Sequence, residues 1–180
     1  MAEGFLNRDD IRAGLEQLGQ IAVAHNTRFE LVVIGGACMV LAYNARVATR
    51  DVDVAILRPQ DASRIREAAR MVAAERNWPE DWLNDAAQGY LVGLSEGPTV
   101  FSAPGIEVRR PSVAQLLAMK LSAWRDDVDI ADARRLLQEL SPVTAQEAAW
   151  KMIEPYLVPG RQLKARYAFL DIWEALYGDA

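Results

Sequence analysis

Histidine and cysteine are almost missing from this chain: His25 and Cys38 are the only ones among 180 residues. A single cysteine excludes an internal disulfide framework and a zinc site built from several cysteines. A single histidine leaves little room for histidine catalysis or a histidine metal cluster. His25, beside Asn26 at the end of a helical stretch, reads as a helix-terminal polar residue. No apolar run is long enough to span a bilayer, and the opening MAEGFLNRDD is acidic and polar, without an apolar signal core. A soluble cytoplasmic protein with no membrane partner is expected. Positive charge is also short. The 20 Lys and Arg against 25 Asp and Glu leave a net charge of −5, which argues against a surface that binds nucleic acid everywhere. A local basic patch stays open, and with it an RNA substrate. Repeats, low-complexity tracts and flexible linkers are absent too.

What is present is ordinary globular material, 51% apolar and 25% charged. That length and composition suit one well-buried domain with a small helical appendage. The informative stretch is LVVIGGACMVLAYNARVATRDVDVA, residues 31 to 55. Leu31 to Ile34 is short and rich in β-branched residues, as a buried strand is, and Gly35-Gly36 stands where it must turn into a helix. Asp51 and Asp53 alternate with Val52 and Val54, so on an extended strand both carboxylates face one way. Neighbouring carboxylates repel unless a cation sits between them. A hard divalent ion such as Mg²⁺ (or Mn²⁺) relieves that repulsion and takes substrate phosphates as its further ligands. Arg46 and Arg50 match phosphate oxygens.

Each of these residues has a plainer reading as well. The glycines fit a tight turn that packs a helix on a sheet, the acids fit a solvated strand face, and Arg50 fits charge neutralisation of Asp51. A dinucleotide site is not met, because Ala37 and Cys38 follow Gly36 with no further glycine at the required spacing.

The remaining elements follow from periodicity. Helix is expected over residues 8 to 25 with Asn7 as N-cap, strand at 29 to 34, and helix from about 37 to 43, with a bend at Asn44-Ala45. Pro59 belongs to a loop, and Asp61 or Ser63 starts an amphipathic helix. Trp78-Pro79-Glu80-Asp81-Trp82-Leu83-Asn84-Asp85 reads as a surface element with anchored aromatics, in which Trp82 and Asn84 are structural. Tyr90-Leu94, Thr99-Phe101 and Ile106-Val108 read as short strands that extend the sheet. From Ser112 the chain turns helical, with Lys120 among apolar neighbours: either a solvated lysine or one whose stem packs and whose head points inward. In the acid-rich run Arg125 to Asp132, Asp129 and Asp132 are spaced to share a helix face, where Arg125, Arg134 or Arg135 could pair with them. Ser141-Pro142 is a stop, Thr144 to Glu147 a capping box, and Pro159-Gly160 separates two last helices. The expected fold is α/β (α+β), a mixed sheet flanked by helices over residues 1–140, with a helical hairpin, residues 141–180, packed on it as one unit.

The glycine pair, the interval, and Arg46-x-x-Thr49-x-Asp51-Val52-Asp53-Val54 resemble the core motif of the nucleotidyltransferase superfamily related to DNA polymerase β. Leu116-Leu117-Ala118-Met119-Lys120-Leu121 and the acid run after it resemble the branch related to the AbiEii and MenT toxins. The matches run from about residue 31 to 137. The resemblance implies that Gly35 and Gly36 approach a nucleoside triphosphate, with Arg46, Thr49 and Arg50 on the nucleotide, and that Asp51 and Asp53 hold Mg²⁺. Lys120 would reach the phosphates, and Asp129 or Asp132 would orient Lys120 or the attacking group. A third carboxylate often serves as base in such enzymes; by pattern this is Glu107, with Asp85 second. Many superfamily members carry a serine after the first glycine, and here that place is Gly36. The implied activity is transfer of a nucleoside monophosphate to an acceptor hydroxyl, on a tRNA end or a protein side chain, in a toxin paired with an antitoxin. The competing class is an inactive relative that binds nucleotide or a protein partner.

Overall fold

Capping side chains and apolar stripes decide where the elements begin and which face they bury. The computed structural model describes residues 4–124, 127–140 and 145–178. In chain order the elements are β1 (Leu6–Asn7), α1 (Arg8–Ala24), β2 (Phe29–Val33), α2 (Gly35–Leu41), β3 (Ala48–Thr49), β4 (Val52–Arg58), α3 (Ser63–Arg76) and β5 (Leu83–Asn84). Then come β6 (Thr99–Ala103), β7 (Ile106–Arg109), α4 (Val113–Ala123), α5 (Asp127–Glu139), α6 (Gln146–Ile153) and α7 (Gln162–Tyr177). The chain divides into two compact units: Met1–Gly89 with Gly97–Arg110, and Tyr90–Glu96 with Pro111–Ala180. The helices α4 and α5 thus group with the C-terminal pair rather than with the sheet.

The first unit is a mixed five-stranded sheet in the order β5-β4-β2-β7-β6, with a separate β1-β3 ribbon. β2 is central, antiparallel to β4 and parallel to β7, and its burial on both faces explains the near-continuous apolar run of its sequence. Asn7 caps α1 as its position suggests, accepting from the Asp9 and Asp10 N–H groups while Asp10 returns the bond to the Asn7 N–H. The apolar stripe of α1, Ile11, Leu15 and Leu18, is fully buried, worth about 2 kcal/mol per side chain. α3 starts where Asp61 accepts from the Ser63 N–H and hydroxyl, and buries Ile65, Ala68, Ala69, Val72 and Ala73. His25 ends α1, its N–H on the Ile21 and Ala22 carbonyls.

The second unit is built round α4, against which α5, α6 and α7 pack. Leu116, Leu117, Ala118 and Leu121 give α4 an apolar surface with few gaps, and Trp150, Phe169 and Trp173 line α6 and α7 with ring centroids 5.4 and 5.7 Å apart. The strand expected at Tyr90-Leu94 does not form. Residues 86–90 make a 3₁₀ turn, and the following backbone bonds to a side chain rather than a ladder. The fully buried Gln115 donates to the Val92 and Gly93 carbonyls and accepts from the Ser95 N–H and hydroxyl. β6 and β7 form as expected. The expected roles of Arg125, Asp126, Ser141, Pro142 and Thr144 lie outside the described residues. No helix among the described residues is long and apolar enough to cross a membrane.

Candidate functional site

The glycine turn and the acid-bearing strand meet in the first unit. β2 ends at Val33, and the Ile34 N–H donates to the Asp53 carbonyl oxygen at 2.9 Å, which sets the start of α2 beside β4. Gly35 has φ +62, a left-handed conformation that only glycine takes without strain, and a Cβ there would stand 2.8 Å from the Asp53 carboxylate Oδ2. Glycine therefore keeps open the space over that carboxylate. At Gly36 a Cβ would stand 2.6 Å from the Thr49 hydroxyl and 3.1 Å from an Arg46 guanidinium nitrogen. Thr49 is buried and pinned there by the ribbon, in which Leu6 pairs with Thr49 and Asn7 with Ala48. The missing serine thus has a steric reason: the space its side chain would need is filled by the hydroxyl of Thr49.

Asp51 lies just before β4, and its Oδ2 receives a long hydrogen bond, 3.4 Å, from the Asn84 amide. Asn84 is on β5, where it pairs with Asp53. The structure therefore brings Gly35, Gly36, Arg46, Thr49, Asp51 and Asp53 into one neighbourhood and adds Asn84, which sequence pattern assigns only an anchoring part. The signal available for Asn84 was its place after a double-tryptophan anchor. Arg50 is exposed, with its guanidinium 5.6 Å from the centroid of the Phe5 ring. An open cleft of about 330 Å³ beside the ribbon carries Arg8 and Arg46 with Asp9 and Asn44.

Glu107 is placed elsewhere. Its pairing partner across β7 and β2 is Glu30, four residues before Ile34, so it shares the sheet face of Asp53 but sits about 13 Å further along the strand direction. There it accepts from Arg109 at 3.0 Å, Arg28 at 2.7 Å and the Thr99 hydroxyl at 3.1 Å, and these donors hold its carboxyl below the usual range. A carboxylate so held is a weak proton acceptor. Asp85 is held below its ordinary value in the same way, by Arg66 at 2.6 Å. Of the four arginines considered for a basic patch, Arg46 stands by the glycine turn and Arg50 follows the ribbon, over Phe5. Arg109 is taken by Glu107, and Arg110 lies over the Tyr43 ring at 5.2 Å.

Lys120, Asp129 and Asp132 come together in the second unit. The Lys120 ammonium is 3.0 Å from Asp129 and 2.7 Å from Asp132, and all three residues are buried. The inward-pointing head is the alternative that the structure realises.

The oxygen donors of the first unit suit a hard divalent cation. Asp51 and Asp53 supply carboxylate oxygen, and the open space that a Cβ at Gly35 would fill lies over one of them. Among the described residues no group of three or more His, Cys, Asp or Glu side chains is placed to hold a metal, so a cation here would rest on two carboxylates and on substrate oxygens, a set that Mg²⁺ accepts.

No curated protein and no solved structure matches the chain. One family model does, over residues 13–141, which takes in the glycine turn, the acid pair and the Lys120 triad. That family is described as nucleotidyltransferase of unknown function (DUF6036), and the chain belongs to it.

Proposed function

We propose that the chain is a Mg²⁺- or Mn²⁺-dependent nucleotidyltransferase, which moves a nucleoside monophosphate from a nucleoside triphosphate to an acceptor hydroxyl and releases pyrophosphate. The observation that carries this is the meeting of a left-handed glycine with the second acid of the Asp51-Val52-Asp53 strand, Gly35 over Asp53. A bound divalent ion would neutralise phosphate charge and polarise the phosphorus under attack. The chain's own residues do the rest. Asp51 and Asp53 present oxygens on the open side of the glycine turn. Gly35 and Gly36 let the backbone come close to the triphosphate, and Arg46 with the Thr49 hydroxyl meets phosphate oxygens at the place where a serine stands in other members. In the transfer the acceptor oxygen bonds to the α-phosphorus, the bond to the pyrophosphate oxygen breaks, and the acceptor proton passes to solvent water. Lys120 would serve phosphate only by giving up its bonds to Asp129 and Asp132; we assign those two acids the task of orienting it.

We further place the chain on the branch related to the AbiEii and MenT toxins, by its lysine helix and acid run. The acceptor is then a tRNA end or a protein side chain, and the partner an antitoxin. Arg8, Arg46 and Arg50 around the ribbon supply positive charge for an RNA acceptor. One observation favours the second reading, an inactive relative that binds nucleotide without turnover. Both acids considered as base, Glu107 and Asp85, are held by arginines.

The test is calorimetric binding of each of the four nucleoside triphosphates, with and without Mg²⁺, to the wild type and to Asp51→Ala, Asp53→Ala. Metal-dependent binding by the wild type, at least 100-fold weaker in the double variant, is the expected result, and it selects the labelled nucleotide for an acceptor search. Absence of binding for all four would sink the proposal. Binding with no labelled product on any tRNA or protein supports the second reading.

A further inference from the structure

We propose that Asn84 is a positioning residue of this site, fixing the Asp51 carboxylate in its cation-binding orientation. The inference rests on the nucleotidyltransferase reading and adds to it a residue that neither the motif nor the family match assigns. A two-residue strand at a sheet edge is held by few ladder bonds of its own, yet β5 is anchored more firmly than its length requires. Trp82, just before it, is fully buried, and its indole N–H donates to the Ala69 carbonyl at 2.9 Å. Trp78 packs against it with ring centroids 5.1 Å apart. Both rings press on α1 so closely that a Cβ at Gly14 would stand 2.8 Å from Trp82 and 2.9 Å from Trp78. The Val52 N–H then donates to the Trp82 carbonyl at 2.6 Å, joining the anchor to β4 next to Asp51. What this delivers is Asn84, directly opposite Asp53.

The amide is oriented as well as placed. Its Oδ1 accepts from the Ala86 N–H at 3.1 Å, which leaves the NH₂ group to face Asp51 Oδ2 and the Asp81 carbonyl, both at 3.4 Å. An uncharged donor suits an acid that must keep its negative charge for a cation. It restrains the carboxylate, whereas an arginine in the same place would cancel the charge and compete with the metal. Arg66, on α3, is drawn to Asp85, the residue after Asn84, at 2.6 Å.

The experiment is Mn²⁺ titration followed by electron paramagnetic resonance, alone and with each nucleoside triphosphate, on the wild type, Asn84→Ser and Asn84→Ala, with thermal melting alongside. Serine still offers an acceptor to the Ala86 N–H but is too short to reach Asp51; alanine loses both contacts. The expected result is Mn²⁺ affinity at least about 10-fold weaker in both variants, as for other residues that orient metal ligands, with the Asn84→Ser melting point unchanged. Wild-type affinity in Asn84→Ser with a loss only in Asn84→Ala would assign Asn84 to the loop at Ala86 and overturn the proposal. Unchanged affinity in both overturns it as well and leaves the nucleotidyltransferase reading standing. A wild type that binds no Mn²⁺, with or without nucleotide, overturns both.

Discussion

Asp51 and Asp53 are partly exposed, two residues apart on the edge and body of a strand, while Asp129 and Asp132 are each 2% exposed and three apart on a helix. Each pair brings two negative charges together, and the two units answer that repulsion differently. In the second unit the answer is internal: the Lys120 ammonium sits within 3.0 Å of both carboxylates, and its stem runs through the apolar surface of α4. In the first unit Asp51 takes an uncharged amide, and a Cβ at Gly35 would stand 2.8 Å from Asp53 Oδ2. A counter-charge built into the chain stabilises the fold wherever the protein goes. Asp51, partly exposed and met by a neutral amide, is arranged for something that arrives from solution. One acid pair is thus neutralised within the chain, where it orients Lys120, and the other is proposed as a site for a cation.

The sharpest break of this comparison is removal of the internal cation. Lys120→Met keeps the stem and deletes the charge, leaving two buried carboxylates that lose their ammonium, at a cost of about 3–5 kcal/mol. For a chain of this size that lowers the melting point by roughly 10 °C, and adding Asp129→Asn and Asp132→Asn should recover at least half of it. By contrast Asp51→Ala, Asp53→Ala should melt within a few degrees of the wild type while losing nucleotide. If Lys120→Met melts with the wild type, the buried pair is not structural and the contrast fails.

Legibility in the sequence followed the distance over which a feature is decided. The Asn7 cap, the β2 run and the turn at Gly35 are local, and composition and spacing suffice for them. The helix expected to reach residue 43, by contrast, ends at Leu41, and the direction of Lys120, left open by its neighbours in sequence, is decided by its partners on α5. Asn84 reaches Asp51 across 33 residues, and Thr49 covers Gly36 only because β1 pairs with β3. Neither pairing leaves a periodic trace. Glu107 shows the same limit from the other side: alternation gives its face of the sheet, but register decides how far along that face it stands. Tyr90-Leu94 has the composition of a strand. What alternation does not reveal is that the side chain of Gln115 satisfies its backbone instead.

A smaller effect tests the crowding at the glycine turn. Gly36→Ser brings a side chain to within 2.6 Å of the Thr49 hydroxyl, so it should cost about 1–3 kcal/mol by overpacking and weaken metal-dependent nucleotide binding. Adding Thr49→Ala removes the obstacle and leaves a hydroxyl in the same space, and the double variant should recover both melting point and binding. Equal losses in single and double variants would show that Thr49 does not fill the place of a serine. This sharpens the first half of the comparison, because it asks whether the room around Gly35 and Gly36 is shaped to one side-chain hydroxyl.

The smallest effect is expected at Glu107, which belongs to neither acid pair. Its carboxyl is held below the usual value of 4.5 first by Arg109, then by Arg28 and Thr99, all through exposed hydrogen bonds. A group whose folded value is depressed adds stability above its unfolded value and loses it as the pH falls through the folded one. Glu107→Gln should therefore melt slightly below the wild type at neutral pH, with the difference shrinking to nothing as the solution is acidified below the carboxylate range. Mn²⁺ and nucleotide binding should stay unchanged throughout. A loss of nucleotide turnover in this variant at unchanged melting point would restore Glu107 as the base and require the strand end bearing it to approach the acid pair during reaction. With binding and turnover both unmoved, Glu107 is left as a clasp between β7, β6 and the start of β2, and the chemistry of the first unit is confined to the glycine end of the sheet.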